Sequence, residues 1–139
     1  MSRFRKRDKA RRTYVAPLKE KIERFGRLVF NNSFEVDVTE DLSVASRAMD
    51  GSNVPFNSLS GGTKEQISLI SRLACAMTVS KDTGASLILD DALGYTDPER
   101  LKLMGAVLAK AGKEYQIIIL TCMPERYNNV GEATVVRLG

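Results

Sequence analysis

Two short stretches, Leu87-Ile88-Leu89 and Ile117-Ile118-Ile119-Leu120, are unbroken runs of large apolar side chains with a helix-patterned segment between them. A strand with one wet face alternates apolar and polar residues. A run without alternation therefore predicts a strand covered on both faces, and covered strands joined through a helix are parallel. That sets aside all-helical bundles and open antiparallel sandwiches. Ala133-Thr134-Val135-Val136-Arg137-Leu138 reads as a further, β-branched strand of the same kind. The intervening helix opens at Asp97-Pro98, a capping residue followed by proline at the first helical position. It carries Leu101, Met104 and Leu108, and stops at Gly112.

Upstream the period changes twice. Tyr14, Leu18, Ile22, Phe25 and Leu28 recur every three or four residues, which makes one apolar face on a basic helix. Pro17 interrupts the amide ladder, so the helix is expected to start near Ala16 or to kink there. Phe34, Val36 and Val38 then alternate with polar residues, and Leu42 to Met49 is a second extended candidate. Asp50-Gly51 supplies the positive φ angles of a tight hairpin, so residues 43–49 and 53–57 are expected to pair in a small antiparallel meander. Leu59-Ser60-Gly61-Gly62 leads into another helix, from about Thr63 to Val79, with Ile67, Ile70, Leu73, Ala74 and Met77 on its apolar face. Three segments result: a basic amphipathic helix over 1–30, the meander over 31–57 and an α/β unit over 58–139.

Composition narrows the chemistry. The chain has no histidine, which excludes Ser-His-Asp and Cys-His catalysis and HExxH metal sites. Its two cysteines, Cys75 and Cys122, are too few for a zinc cluster or a disulfide framework and are expected to be free thiols in the cytoplasm. No apolar run approaches the roughly 18 residues that cross a bilayer, so no membrane is expected as a partner. The net charge of +4 is uneven: residues 1 to 28 hold eleven Lys/Arg against three Asp/Glu. Such an arm is either a nucleic-acid grip that reads phosphates without reading sequence or the solvated face of a coiled coil.

Glycines at the mouth of a helix let the backbone approach an anion, and the free N–H groups of the first turn point at it. Ser60-Gly61-Gly62 has that form, though Ser and Gly are also ordinary turn and capping residues. Leu87-Ile88-Leu89-Asp90-Asp91 ends a buried strand in two adjacent carboxylates. Successive strand side chains point to opposite faces, so one acid can serve a metal while the other polarises a water. The bland alternative is that both acids merely begin a solvated loop.

In order, Leu59 to Gln66, a helix, Leu87 to Asp91, Asp97 and the strand Ile117 to Leu120 resemble the C-terminal half of an ABC-type ATPase head. The resemblance is to the coiled-coil branch of SMC-like and double-strand-break-repair ATPases, and it is closest over residues 58 to 122. It implies the C-terminal lobe of a P-loop NTPase: parallel core strands with flanking helices, preceded by a coiled-coil-root helix and an antiparallel meander. Ser60, Gly61 and Gly62 match the signature loop that binds the γ-phosphate of ATP held by an opposing head. Asp90 matches the Walker B acid of the Mg²⁺ shell, Asp91 the catalytic carboxylate, and Asp97 the D-loop acid at the dimer seam, with Gly94-Tyr95-Thr96 completing that loop.

Three features depart from the pattern. No Gly-x-x-x-x-Gly-Lys-Ser/Thr cradle occurs, so the resemblance implies half a head, completed by an N-terminal Walker A lobe and paired with a second head, with DNA as the expected substrate of the assembly. Asp91 stands where Glu is usual, which shortens the reach by about 1.5 Å and predicts slow hydrolysis or a shifted backbone. Thr121-Cys122-Met123 stands where relatives place a switch histidine. ATP and Mg²⁺ are thus expected only as shared ligands, and the chain alone is expected to be inactive. The incomplete sheet is also expected to seek a partner or a second copy of the chain.

Overall fold

The computed structural model describes residues 3–80 and 84–138, with side chains from Arg12 onward. Helix α1 spans Arg3–Val29, followed by strands β1 (Val36–Val38), β2 (Val44–Met49) and β3 (Ser52–Pro55). Helix α2 (Gly61–Val79), strand β4 (Leu87–Asp90), helix α3 (Pro98–Gly112) and strand β5 (Ile117–Leu120) complete the regular elements, with 3₁₀ turns at Phe56–Ser58 and Pro124–Tyr127.

β1, β2 and β3 form an antiparallel meander whose β2–β3 turn has Asp50 at φ 50° and Gly51 at φ 79°. Two consecutive left-handed residues match the right-handed twist of the strands they join, as the Asp-Gly pair predicts. β4 and β5 pair in parallel, Leu87 opposite Ile117 through to Asp90 opposite Leu120, and α3 makes the crossover. One core unites the elements: Leu18, Ile22, Phe25 and Val29 from α1, Phe34, Val36 and Val38 around β1, Ile67, Leu69, Ile70 and Leu73 from α2, Leu89 from β4, and Met104, Val107 and Leu108 from α3.

Four expectations need correction. α1 does not start near Ala16: it runs through Pro17 from Arg3, which leaves the kink as the alternative that Pro17 allows. The buried seam ends at Val29 rather than Leu28, which is 42% exposed, and Tyr14 is only half-buried. An ideal helix advances 100° per residue, so a seam sustained over several turns drifts, and Val29 continues the line from Leu18, Ile22 and Phe25. The β4–β5 pair is covered on one face alone, with Ile88, Ile118 and Leu120 exposed on the strands. Finally, Ala133 to Leu138 form no strand: Val135, Val136 and Leu138 are largely exposed and pair with nothing among the described residues. A β-branched run becomes a strand only by pairing with an edge, and this one pairs with neither outer edge of the β4–β5 sheet.

Candidate functional site

The Ser60-Gly61-Gly62 loop leads into a capped helix. Ser60 is extended (φ −62°, ψ 158°), and its Oγ accepts from the Thr63 amide at 3.3 Å while its hydroxyl donates to Thr63 Oγ1 at 2.9 Å. Ser60 and Gly61 are exposed, and a Cβ at Gly61 would meet nothing within 4 Å. Gly62 is turned inward: a Cβ there would lie 3.0 Å from the Tyr95 carbonyl oxygen. One glycine leaves the helix mouth open, and the other permits close approach of the loop that follows β4.

That loop is clamped to α2 by residues that the pattern alone did not single out. Both carboxylate oxygens of Glu65 accept from the Tyr95 amide at 2.9 Å, and Oε1 also accepts from the Thr96 hydroxyl at 2.8 Å. Buried Gln66 donates from Nε2 to Thr96 Oγ1 at 3.3 Å. Arg100 Nη1 donates to Thr63 Oγ1 at 3.3 Å and to Gln66 Oε1 at 3.2 Å. Arg126 Nη2 closes the far side by donating to the carbonyls of Leu93 at 2.6 Å and Thr96 at 3.2 Å. In sequence, Glu65, Arg100 and Arg126 look like members of solvated helix faces; a carboxylate two positions after Thr63 gives no sign that its acceptors' partners lie thirty residues away.

The clamp makes a local prediction. Glu65→Ala removes a charge-assisted acceptor from Tyr95 N–H, an interaction of roughly 1.5–3 kcal/mol, so amide exchange at Tyr95 is expected to accelerate by about tenfold or more. Unchanged exchange at Tyr95 would show that the loop is held by other contacts.

The acids lie at the carboxyl end of the parallel pair. Asp90 is the last residue of β4, opposite Leu120, and Asp91 follows with its amide donating to the Leu120 carbonyl at 3.1 Å. Both are exposed. Asp91 has φ 42°, a left-handed conformation that Asp and Asn tolerate better than residues with longer side chains. The backbone therefore turns at the position where a shorter acid stands, and it carries Asp91 Oδ2 to within 3.8 Å of Cys122 Sγ, a weak thiol donor. Thr121 Oγ1 accepts from the Met123 amide at 2.9 Å, so it caps the turn after β5. The Tyr127 phenol is pushed up by burial first and then by the negative charge of Asp91, with Glu65 adding to it and Arg126 opposing. Tyr115 and Tyr127 pack on the core, whereas Tyr95 is 84% exposed, so packing is not its role.

Asp97 accepts from the Arg100 amide at 2.9 Å as the N-cap of α3, with Pro98 at the first helical position. The six residues singled out in sequence thus fall into two groups. Ser60, Gly61 and Gly62, at the mouth of α2, are tied through the clamp to the loop that ends at Asp97, and Asp90 and Asp91 lie at the end of β4. Both cysteines are free, and burial pushes the Cys75 thiol up. Among the described residues, no group of three or more Cys, Asp or Glu is placed to hold a metal ion, and no helix is long and apolar enough to cross a membrane.

No family model matches the chain. It is 48% identical over 126 residues to uncharacterized proteins of Mycobacterium tuberculosis and Mycobacterium bovis; the match takes in 91% of this chain, which spans only 14% of the length of those relatives. A solved chain from work on ATP-driven dimerization and DNA-stimulated activation of SMC ATPases superposes with a TM-score of 0.68, over 96% of this chain and 83% of that one, at 16% identity. At that identity the likeness speaks for architecture, and the architecture of this chain is SMC-ATPase-like.

Proposed function

We propose that this chain is one lobe of a composite ATP-hydrolysing head of the SMC type, acting with an N-terminal Walker A lobe and a second head. The observation that carries the reading is the pair of outward-facing half-sites. An open, glycine-mouthed helix end presents Ser60 and Gly61, and the carboxyl edge of a parallel pair presents Asp90 and Asp91. Open α/β sheets take their ligands at the carboxyl ends of strands, and helix mouths take anions. Neither half is a complete nucleotide pocket.

Asp90 and Asp91 suit a Mg²⁺ ion that arrives with its nucleotide. Magnesium needs only one or two protein carboxylates when phosphates and waters fill the remaining positions, so two acids are an adequate donor set and a resident metal cluster is not required. When bound, the ion would neutralise phosphate charge. In this reading Asp90 holds the ion's shell, Asp91 accepts a proton from the attacking water, and Ser60, Gly61 and Gly62 receive the γ-phosphate of ATP held by the opposing head. Asp97 lies at the seam between heads. The Glu65 clamp couples these last two sites mechanically, because the α2 mouth and the residues preceding Asp97 are hydrogen-bonded as one piece. DNA is the proposed substrate of the assembly, approached by the basic arm of α1.

The purified chain is expected to show no saturable ATP binding at micromolar concentrations and no turnover, because no P-loop lysine or backbone cradle is present. Mixed with a lobe carrying that cradle, it is expected to hydrolyse ATP and to dimerise with nucleotide. Turnover by the chain alone would overturn the half-head reading. So would a mixed sample that binds ATP on the added lobe and never responds to this chain.

A further inference from the structure

Arg47 lies on the inner face of the meander. Its cross-strand neighbours are Val36 on β1 and Val54 on β3, and opposed residues share a face, so a guanidinium occupies the position where the strand pattern calls for an apolar side chain. The residue is 7% exposed, and its Nε is buried without a hydrogen-bond partner among the described residues. Its Cζ lies 4.4 Å from the centre of the Phe30 ring and 5.2 Å from that of Phe34, two rings that stack at 5.0 Å. A second guanidinium, Arg100, lies 4.8 Å from the same Phe30 ring. No carboxylate pairs with either arginine: the ion pairs among the described residues are Arg12–Glu40, Lys19–Glu23, Arg24–Glu20 and Arg27–Glu23.

The magnitudes do not balance with aromatic rings alone. Ring contacts compensate only part of the cost of taking a guanidinium out of water, and a like charge against the same ring adds to that cost. Burial and the Arg100 charge both lower the Arg47 pKa, but a guanidinium stays charged, so the deficit is not relieved by losing a proton. Arg100 spends Nη1 on Thr63 and Gln66, and its other donors have no partner among the described residues. Two planar guanidinium groups lie against one ring with no acid paired to either among the described residues, and the partner such groups take best is a bidentate oxyanion.

We propose that Arg47 and Arg100 form the seat of an oxyanion, a phosphate or a carboxylate, that comes from outside the described residues. It is distinct from the Ser60 mouth, with which it shares only the relay from Arg100 through Thr63.

The test compares thermal unfolding of the 139-residue chain in sodium chloride, sodium phosphate and sodium acetate at matched ionic strength and pH. At anion concentrations near ten times the dissociation constant, phosphate or acetate is expected to raise the midpoint by roughly 3 °C over chloride. Arg47→Met is expected to abolish that rise and to unfold no earlier than the wild type in chloride, since it replaces an unpaired buried cation with an apolar chain of similar length. A rise with phosphate only assigns a phosphate ligand; an equal rise with acetate assigns a carboxylate, as a partner's side chain would supply. No rise with either anion, or an equal rise in the variant, overturns the proposal. Should Arg47→Met fail to fold, the Arg47 Nε–H resonance of the wild type decides. It is assigned by comparison with Arg47→Lys, and it must shift on titration with phosphate or acetate and stay put with chloride; an immobile resonance overturns the proposal equally.

Discussion

Gly26→Ala is expected to destabilise the protein by about 2–4 kcal/mol, although alanine is the better helix former by about 1 kcal/mol. Gly26 lies inside α1, and a Cβ there would fall 2.9 Å from Cζ of Phe34 and closer still to Cδ1 and Cε1. The ring has no room to retreat: Phe34 is 1% exposed and stacked on Phe30, whose amide donates to the Gly26 carbonyl at 2.8 Å. The absent side chain at Gly26 is thus the socket for Phe34, and Phe34 leads the chain from α1 into the meander. Against a total stability of roughly 5–15 kcal/mol the loss is large, and the thermal midpoint is expected to fall by about 10 °C. Pairing Gly26→Ala with Phe34→Leu should recover part of it by shortening the intruding ring. Because propensity and packing predict opposite signs, a Gly26→Ala variant as stable as the wild type would show that the ring does not rest on the helix backbone.

The second large effect concerns turnover. In a head completed by a Walker A lobe, Asp91→Asn is expected to lower ATP hydrolysis by about 10²–10⁴-fold, the usual contribution of a positioned base, while nucleotide-driven association survives. Asn is a clean replacement because it keeps the size of Asp and tolerates the same left-handed backbone at φ 42°. Loss of association together with turnover would mean that Asp91 builds the interface. Full turnover in the variant would remove the base role and leave the acid as a turn former.

Much of the architecture was legible because its signals are local. The Asp50-Gly51 hairpin, the Ser60 and Asp97 caps and the parallel pairing of Leu87–Asp90 with Ile117–Leu120 all follow from residue types at fixed spacing. What escaped depends on neighbours. Ala133 to Leu138 have strand composition without strand pairing, and composition cannot report whether a run reaches an edge. The exposed faces of Ile88, Ile118 and Leu120 have the same origin: an apolar run says that a strand is made to be covered, not that the cover belongs to this chain. Arg47 was hidden because a single charge in a short strand reads as outward-facing, and only its pairing with Val36 and Val54 turns it inward. The left-handed backbone at Asp91 likewise answers why a short acid stands at that position, an answer that residue identity alone does not contain.

Helix α1 has the proportions of a lever. At 1.5 Å per residue its 27 residues reach about 40 Å, and Leu18 to Val29 bed it on the core against α2 and α3. The fulcrum is therefore near Leu18, with about 22 Å of rod beyond it toward Arg3. A tilt of about 10° on that bed sweeps the far end by roughly 4 Å. Because α1 beds on α2 and α2 opens at Ser60, a small tilt in that packing would be geared up at the tip of the rod.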